Sequence, residues 1–185
     1  MKDEKKPYLV PYGGSNATGA LGYAFAMKEL IEQNVAADWI VFATSSGGTH
    51  AGLLLGQRIF GFNGKILGIS VDEPEEWLKT EVSQLASATS EKLGDRIEFR
   101  PADVLVNAAY CDAGYGVVTE REREAIRLFA RHEGLLLDPV YTGRAAAGMI
   151  DLIRKRFFKN DETVLFLHTG GLPALFAEQY AAEFR

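Results

Sequence analysis

The sequence predicts an α/β fold, a parallel-type sheet flanked by helices, and two observations predict it. Three apolar runs rich in β-branched residues, at 38–44, 65–71 and 163–169, do not alternate with polar positions. Strands buried on both faces have that pattern, as in a parallel sheet. Stretches with helical spacing lie between them, so strand and helix alternate along the chain. The 185 residues fit a single α/β unit over 1–185 and can bury a sizeable core.

Taken in order, "PYLVP" (7–11) reads as a weaker fourth strand. A helix over 18–33 sets Leu21, Phe25, Leu30 and Ile31 on roughly one face. "DWIVFAT" (38–44) is a strand, and a helix over 49–61 follows the small-residue corner "SSGGT". After the strand "KILGISV" (65–71), the stretch 73–93 opens with Pro74 and acids, as helix starts do. Residues 97–117 carry no clear period, although "GYGV" has to be a turn. A helix over 119–134 begins with Thr119 and Glu122 in a capping box and stops at Gly134. Another helix covers 142–158. The strand 163–169 then runs into "HTGGLP", where Pro173 starts a helix.

The totals exclude several classes. A net charge of −5 gives no basic face for nucleic acid. No apolar run reaches the roughly 18 residues of a membrane span. One cysteine, Cys111, permits no internal disulfide and suits a reducing, cytoplasmic setting. The lead-in "MKDEKK" reads as a solvated tail, with no apolar stretch of a secretory signal behind it. His50, His132 and His168 have no metal-ligand spacing with each other or with Cys111, so no metal site is expected.

Candidate chemistry starts at the corner after the second strand. A buried strand that turns through glycines into a helix leaves backbone N–H groups at the positive end of the helix dipole. Gly47 and Gly48 let a ligand come close to the backbone, and Ser45, Ser46 and Thr49 add hydroxyls. This describes an anion cradle suited to a phosphate. Two other readings stay open: a tight turn with no ligand, and a nucleophile elbow at Ser45 with His168 and Asp138 as partners. "HTGG" repeats the theme, and both corners would share the carboxyl-end rim of the sheet, where ligands sit in such folds.

The blocks "PYGGSNATGALGY", "SSGGTHAG", "GYGV", "EGLLLDPVYTGRAAAGMIDLIRK" and "LFLHTGGLPALF" resemble, in order, those of the D-cysteine desulfhydrase and 1-aminocyclopropane-1-carboxylate deaminase family. The resemblance implies a pyridoxal 5'-phosphate enzyme of fold type II. It gives the cradle its ligand, the coenzyme phosphate, held by Ser45, Ser46, Gly47, Gly48 and Thr49. It sets Tyr115 and Tyr141 against substrate and coenzyme, as candidates for proton transfer, and gives Thr169 a hydrogen bond to the pyridine nitrogen. Deaminases of the family carry Glu and Leu where this chain has Thr142 and Thr169. Two neutral threonines beside the ring favour β-elimination of D-cysteine to pyruvate, sulfide and ammonia over opening of a cyclopropane ring.

The family's coenzyme-binding lysine lies in an amino-terminal segment that precedes the matching blocks. Of the nine lysines here only Lys155 falls in those blocks, as the last residue of one, away from the glycine corners. The expectation is therefore a lyase portion without its lysine-bearing segment, inactive alone. Such a portion would take a small amino-acid substrate, and either form a homodimer or pair with a complementing amino-terminal chain. The contrasting expectation is a noncatalytic phosphate-binding or interaction domain that kept the cradle.

Overall fold

The structure, a computed structural model, describes residues 6–184. The solvated lead-in expected at the start thus lies largely outside the described residues. Helix α1 (Ala17–Glu32) leads to strand β1 (Trp39–Thr44), helix α2 (Gly48–Phe60) and strand β2 (Lys65–Ser70). Helix α3 (Glu75–Lys92), strand β3 (Leu105–Asn107), helices α4 (Glu120–His132) and α5 (Thr142–Arg154), and strand β4 (Val164–Phe166) complete the fold. The four strands form one parallel sheet in the order β3-β2-β1-β4.

All six residues of β1 are buried, because each face of the sheet is covered. Trp39, Val41 and Ala43 pack toward α5 with Met149 and Leu152, whereas Ile40 and Phe42 pack toward α1 and α2 with Met27 and Leu53. The two-residue side-chain period thus sends alternate positions into different cores, both apolar. Three helices, α1 to α3, lie on one face, and α5, backed by α4, lies on the other.

Several local expectations need correction. Residues 7–11 form no strand, consistent with two prolines that cannot donate to a ladder. The buried face of α1 is Ala20, Ala24 and Met27, and Phe25 is exposed. The cause is close packing on α2: a Cβ on Gly52 would overlap the Ala20 carbonyl and come within 2.6 Å of Tyr23 Cβ. Small residues win that face because the two backbones nearly touch. The strand expected at 163–169 shrinks to Val164–Phe166, β3 emerges from the patternless stretch 97–117, and Pro173 opens only a 3-10 turn (Leu172–Phe176). The capping box is present: Thr119 N donates to Glu122 Oε2 at 2.8 Å, and Arg121 N to Thr119 Oγ1 at 3.3 Å. Among the described residues, no helix is long and apolar enough to cross a membrane, and no group of His, Cys, Asp or Glu is clustered to hold a metal.

Candidate active site

From β1 the chain moves outward to β2 and β3, then returns to the other side of β1 as β4. The direction of travel reverses between β1 and β4, and open parallel sheets hold ligands beyond the carboxyl ends of strands at such a point. A cleft of about 280 Å³ lies there. Its walls are the corner after β1, from Ala43 to Thr49, and the corner after β4, Thr169 to Gly171, joined by Tyr23 and Tyr141.

The first corner is built as an anion site with one donor already engaged. Gly47 sits at φ +83, a conformation glycine adopts without strain, and its carbonyl accepts the Ala51 amide of α2 at 2.8 Å. Gly48 N donates to Ser15 Oγ at 3.0 Å, and Ser15 Oγ donates to Ser46 Oγ at 2.7 Å. Ser45 Oγ turns away and donates to Asp72 Oδ2 at 3.1 Å. The Gly47 and Thr49 amides have no acceptor among the described residues, at the start of a helix of 13 residues. Thr44 also lines the cleft, and its buried hydroxyl has no partner there either. Free amides, a positive dipole end and an orphaned hydroxyl fit a phosphate ester.

Tyr141, on the cleft wall, meets Tyr115, which lies outside the cleft lining. Their hydroxyl oxygens are 2.6 Å apart and their rings pack edge to face at 5.9 Å. Tyr115 rides the turn after β3, and Tyr141 caps α5. Burial pushes the Tyr141 phenol well above its ordinary value, helped by the hydrogen bond with Tyr115 and the nearby Tyr12 phenol. For Tyr115 the bond to Tyr141 works downward, but burial and the nearby Tyr12 and Asp72 outweigh it, so it too is raised. Both phenols keep their protons at neutral pH. Nothing local in the sequence marks Tyr12 as a site residue. The 3-10 turn Tyr12–Gly14 brings it to the pair.

The two threonines part company. Thr169 is exposed on the cleft wall. Thr142 is fully buried, donates its hydroxyl to Asp138 Oδ1 at 2.7 Å and accepts the Asp138 amide at 2.9 Å. Its side chain therefore faces Asp138 and not the cleft. Asp138 also accepts the amides of Val140, Tyr141 and Thr142 at 2.7 to 2.8 Å, so it caps α5. An Asp-Pro pair ahead of a helical stretch is the sequence signal for this cap.

That arrangement removes the nucleophile-elbow reading. Ser45 is bonded to Asp72, and the Asp138 carboxylate is spent on the start of α5. His168 accepts Gly170 N at Nδ1 (3.1 Å), which leaves its proton on Nε2, 3.2 Å from the Leu136 carbonyl. No two of the three are joined.

Arg144, unmarked in the sequence, is the hub behind the tyrosines. It is wholly buried and donates to Glu122 Oε1 (3.1 Å) and to the carbonyls of Val71 (2.6 Å), Gly114 (3.0 Å) and Val117 (2.7 Å). Gly114 and Val117 flank Tyr115, so this guanidinium sets the turn that presents it. Burial works to raise the Glu122 carboxyl, but bonds from Thr119 and Arg144 overcome it and hold the carboxyl below its usual range.

Comparison with known proteins agrees with this geometry. The family described as "Pyridoxal-phosphate dependent enzyme" matches residues 1–170. This chain belongs to that family. It is 42% identical over 175 residues to a D-cysteine desulfhydrase of Yersinia enterocolitica, covering 93% of this chain and 52% of the relative. A solved structure of an ACC deaminase homologue superposes with a TM-score of 0.85 at 38% identity, over 96% of this chain and 53% of that one. A fungal L-serine ammonia-lyase from Rhizomucor miehei shares the fold, with a TM-score of 0.56 at 16% identity over 90% of this chain and 56% of its own. The chain thus spans about half the length of these relatives. The family's coenzyme is pyridoxal phosphate, the ligand expected for the cradle. No lysine is among the residues lining the cleft.

Proposed function

We propose that this chain supplies the phosphate-holding and substrate-facing part of a pyridoxal-phosphate-dependent lyase that converts D-cysteine and water to pyruvate, sulfide and ammonia. One observation carries the reading: two glycine corners and Tyr141, whose phenol is bonded to Tyr115 behind it, converge on a single cleft at the switch point of the sheet. The relative named D-cysteine desulfhydrase supports the substrate.

When bound, the coenzyme supplies an electron sink for the substrate α-carbon. Ser46, Gly47 and Thr49 would hold its phosphate at the start of α2, with the Gly48 amide engaged by Ser15 and Ser45 fixed beneath by Asp72. Thr169 offers a neutral hydroxyl toward the ring nitrogen, and it alone bears on the choice of branch, because Thr142 faces Asp138. Of the two phenols, one donates to the other and leaves a single free proton for the cleft. That proton can donate a hydrogen bond to a leaving thiolate, whose ordinary pKa of about 8.5 lets it depart without full proton transfer from the phenol. The covalent anchor for the coenzyme is, in this reading, a lysine beyond the residues that line the cleft, none of which is a lysine.

A second reading, a 1-aminocyclopropane-1-carboxylate deaminase, draws on the solved ACC deaminase homologue at 38% identity. Mixing the chain with the separately expressed amino-terminal part of a D-cysteine desulfhydrase and pyridoxal phosphate discriminates them. The expected result is equal sulfide and pyruvate from D-cysteine, with Tyr141→Phe slowing release about 100-fold or more. Ammonia from the cyclopropane substrate without sulfide from D-cysteine selects the second reading. An assembled pair that turns over neither favours a noncatalytic phosphate-binding domain.

A further inference from the structure

The turn ahead of α1 is locked into the cradle by two glycines. A Cβ on Gly48 would lie 2.5 Å from Ser15 Oγ and 3.2 Å from Ser15 Cα, and a Cβ on Gly13 would overlap Ser46 Oγ. Each loop therefore lacks a side chain where the other one presses in. Asn16, next in sequence, accepts Thr18 N at 2.9 Å and Gly19 N at 2.8 Å, which anchors the turn to α1. Ser15 itself accepts Gly48 N and donates to Ser46 Oγ. Its own hydrogen is used up, whereas the hydrogen of Ser46 is left without an acceptor among the described residues.

We propose that Ser15 is a positioning residue of the anion cradle, which pins Gly48 and turns the Ser46 hydroxyl hydrogen, with the Gly47 and Thr49 amides, toward a bound phosphate. This rests on the phosphate reading of the cleft given above. Ser15 acts through Ser46 and Gly48, and it discriminates phosphorylated from unphosphorylated ligands without touching the ring. The alternative role is a plug, in which Ser15 occupies the Gly48 donor and must be expelled before an anion enters. The interlock of Gly13 and Gly48 argues against a plug, because close approach on both sides makes the turn a fixed wall.

The two roles have opposite signs for Ser15→Ala. The probe is 4-deoxypyridoxine 5'-phosphate, which has no aldehyde and forms no Schiff base with surface lysines, compared with 4-deoxypyridoxine. Binding to the purified chain is followed by equilibrium dialysis. The expected result is about tenfold weaker binding of the phosphate ester on loss of one oriented donor, with the unphosphorylated probe unchanged. Ser15→Thr, which keeps the hydroxyl, is expected to restore most of the affinity. Unchanged binding by Ser15→Ala overturns the proposal, and tighter binding overturns it and identifies a plug. A folded, unsubstituted chain that prefers neither probe overturns the phosphate reading itself, and the positioning role falls with it.

Discussion

His50 is the third residue of α2, one position after the cradle, yet it takes no part in the cleft wall. It is fully buried edge-on against Phe42, with ring centroids 5.0 Å apart, and neither nitrogen has a partner among the described residues. Burial alone pushes its pKa down to about 3. The unfolded chain binds a proton on this histidine below about pH 6.5 and the folded chain does not, so stability rises with pH across that interval. Denaturation measured from pH 6.5 down to pH 5 should show His50 contributing a loss that steepens toward about 1.4 kcal/mol per pH unit. His50→Leu should flatten that slope, and an unchanged slope means that the imidazole is protonated in the folded state. In the sequence, His50 looks like part of a ligand corner. Only helix phase, which turns the third residue inward, separates it from Thr49. Thr142 and Thr169 pose the same problem: both follow apolar stretches, and the capture of Thr142 by Asp138 depends on contacts that spacing does not display.

At the level of elements, the strands and helices that bury continuous apolar surface are legible in the sequence, and so is the capping box of α4, because each is written in local pattern. The contacts between elements are not. Arg144 sits inside an Ala/Gly-rich helix, and nothing near it in sequence announces that it reaches Val71 just after β2, the Tyr115 turn and α4. The buried face of α1 departs from its hydrophobic pattern, which favours Leu21 and Phe25, because the close crossing with α2 selects alanine. Breaking a buried ion pair strands the surviving charge at a cost of about 3–5 kcal/mol. Arg144→Met is therefore expected to lower unfolding free energy by that amount in denaturant titrations. Adding Glu122→Gln to it should recover part of the loss, since the amide removes the stranded charge. A loss below about 1 kcal/mol would mean that the Tyr115 turn holds without this hub.

Across the whole molecule, the strand order is what makes a site. Because β4 returns beside β1, two corners as far apart in sequence as Thr49 and Thr169 end on one rim, and the cleft lies between them. Neither corner alone separates a ligand site from a tight turn, and the parallel order makes them one site. The convergence of both corners is an expectation of the sequence, whereas the part played by the Tyr12–Ser15 turn is not. That turn reaches the cleft only because α1 packs against α2. The central claim is that the backbone at the start of α2 is shaped for a phosphate ester. Amide proton and nitrogen shifts of the ¹⁵N-labelled chain, titrated with 4-deoxypyridoxine 5'-phosphate, test it most directly. The account predicts saturable shifts concentrated at Ser46, Gly47 and Thr49 and at Gly170 across the cleft, with α4 unmoved. Saturable shifts that leave those amides in place, or none at millimolar probe, would contradict it.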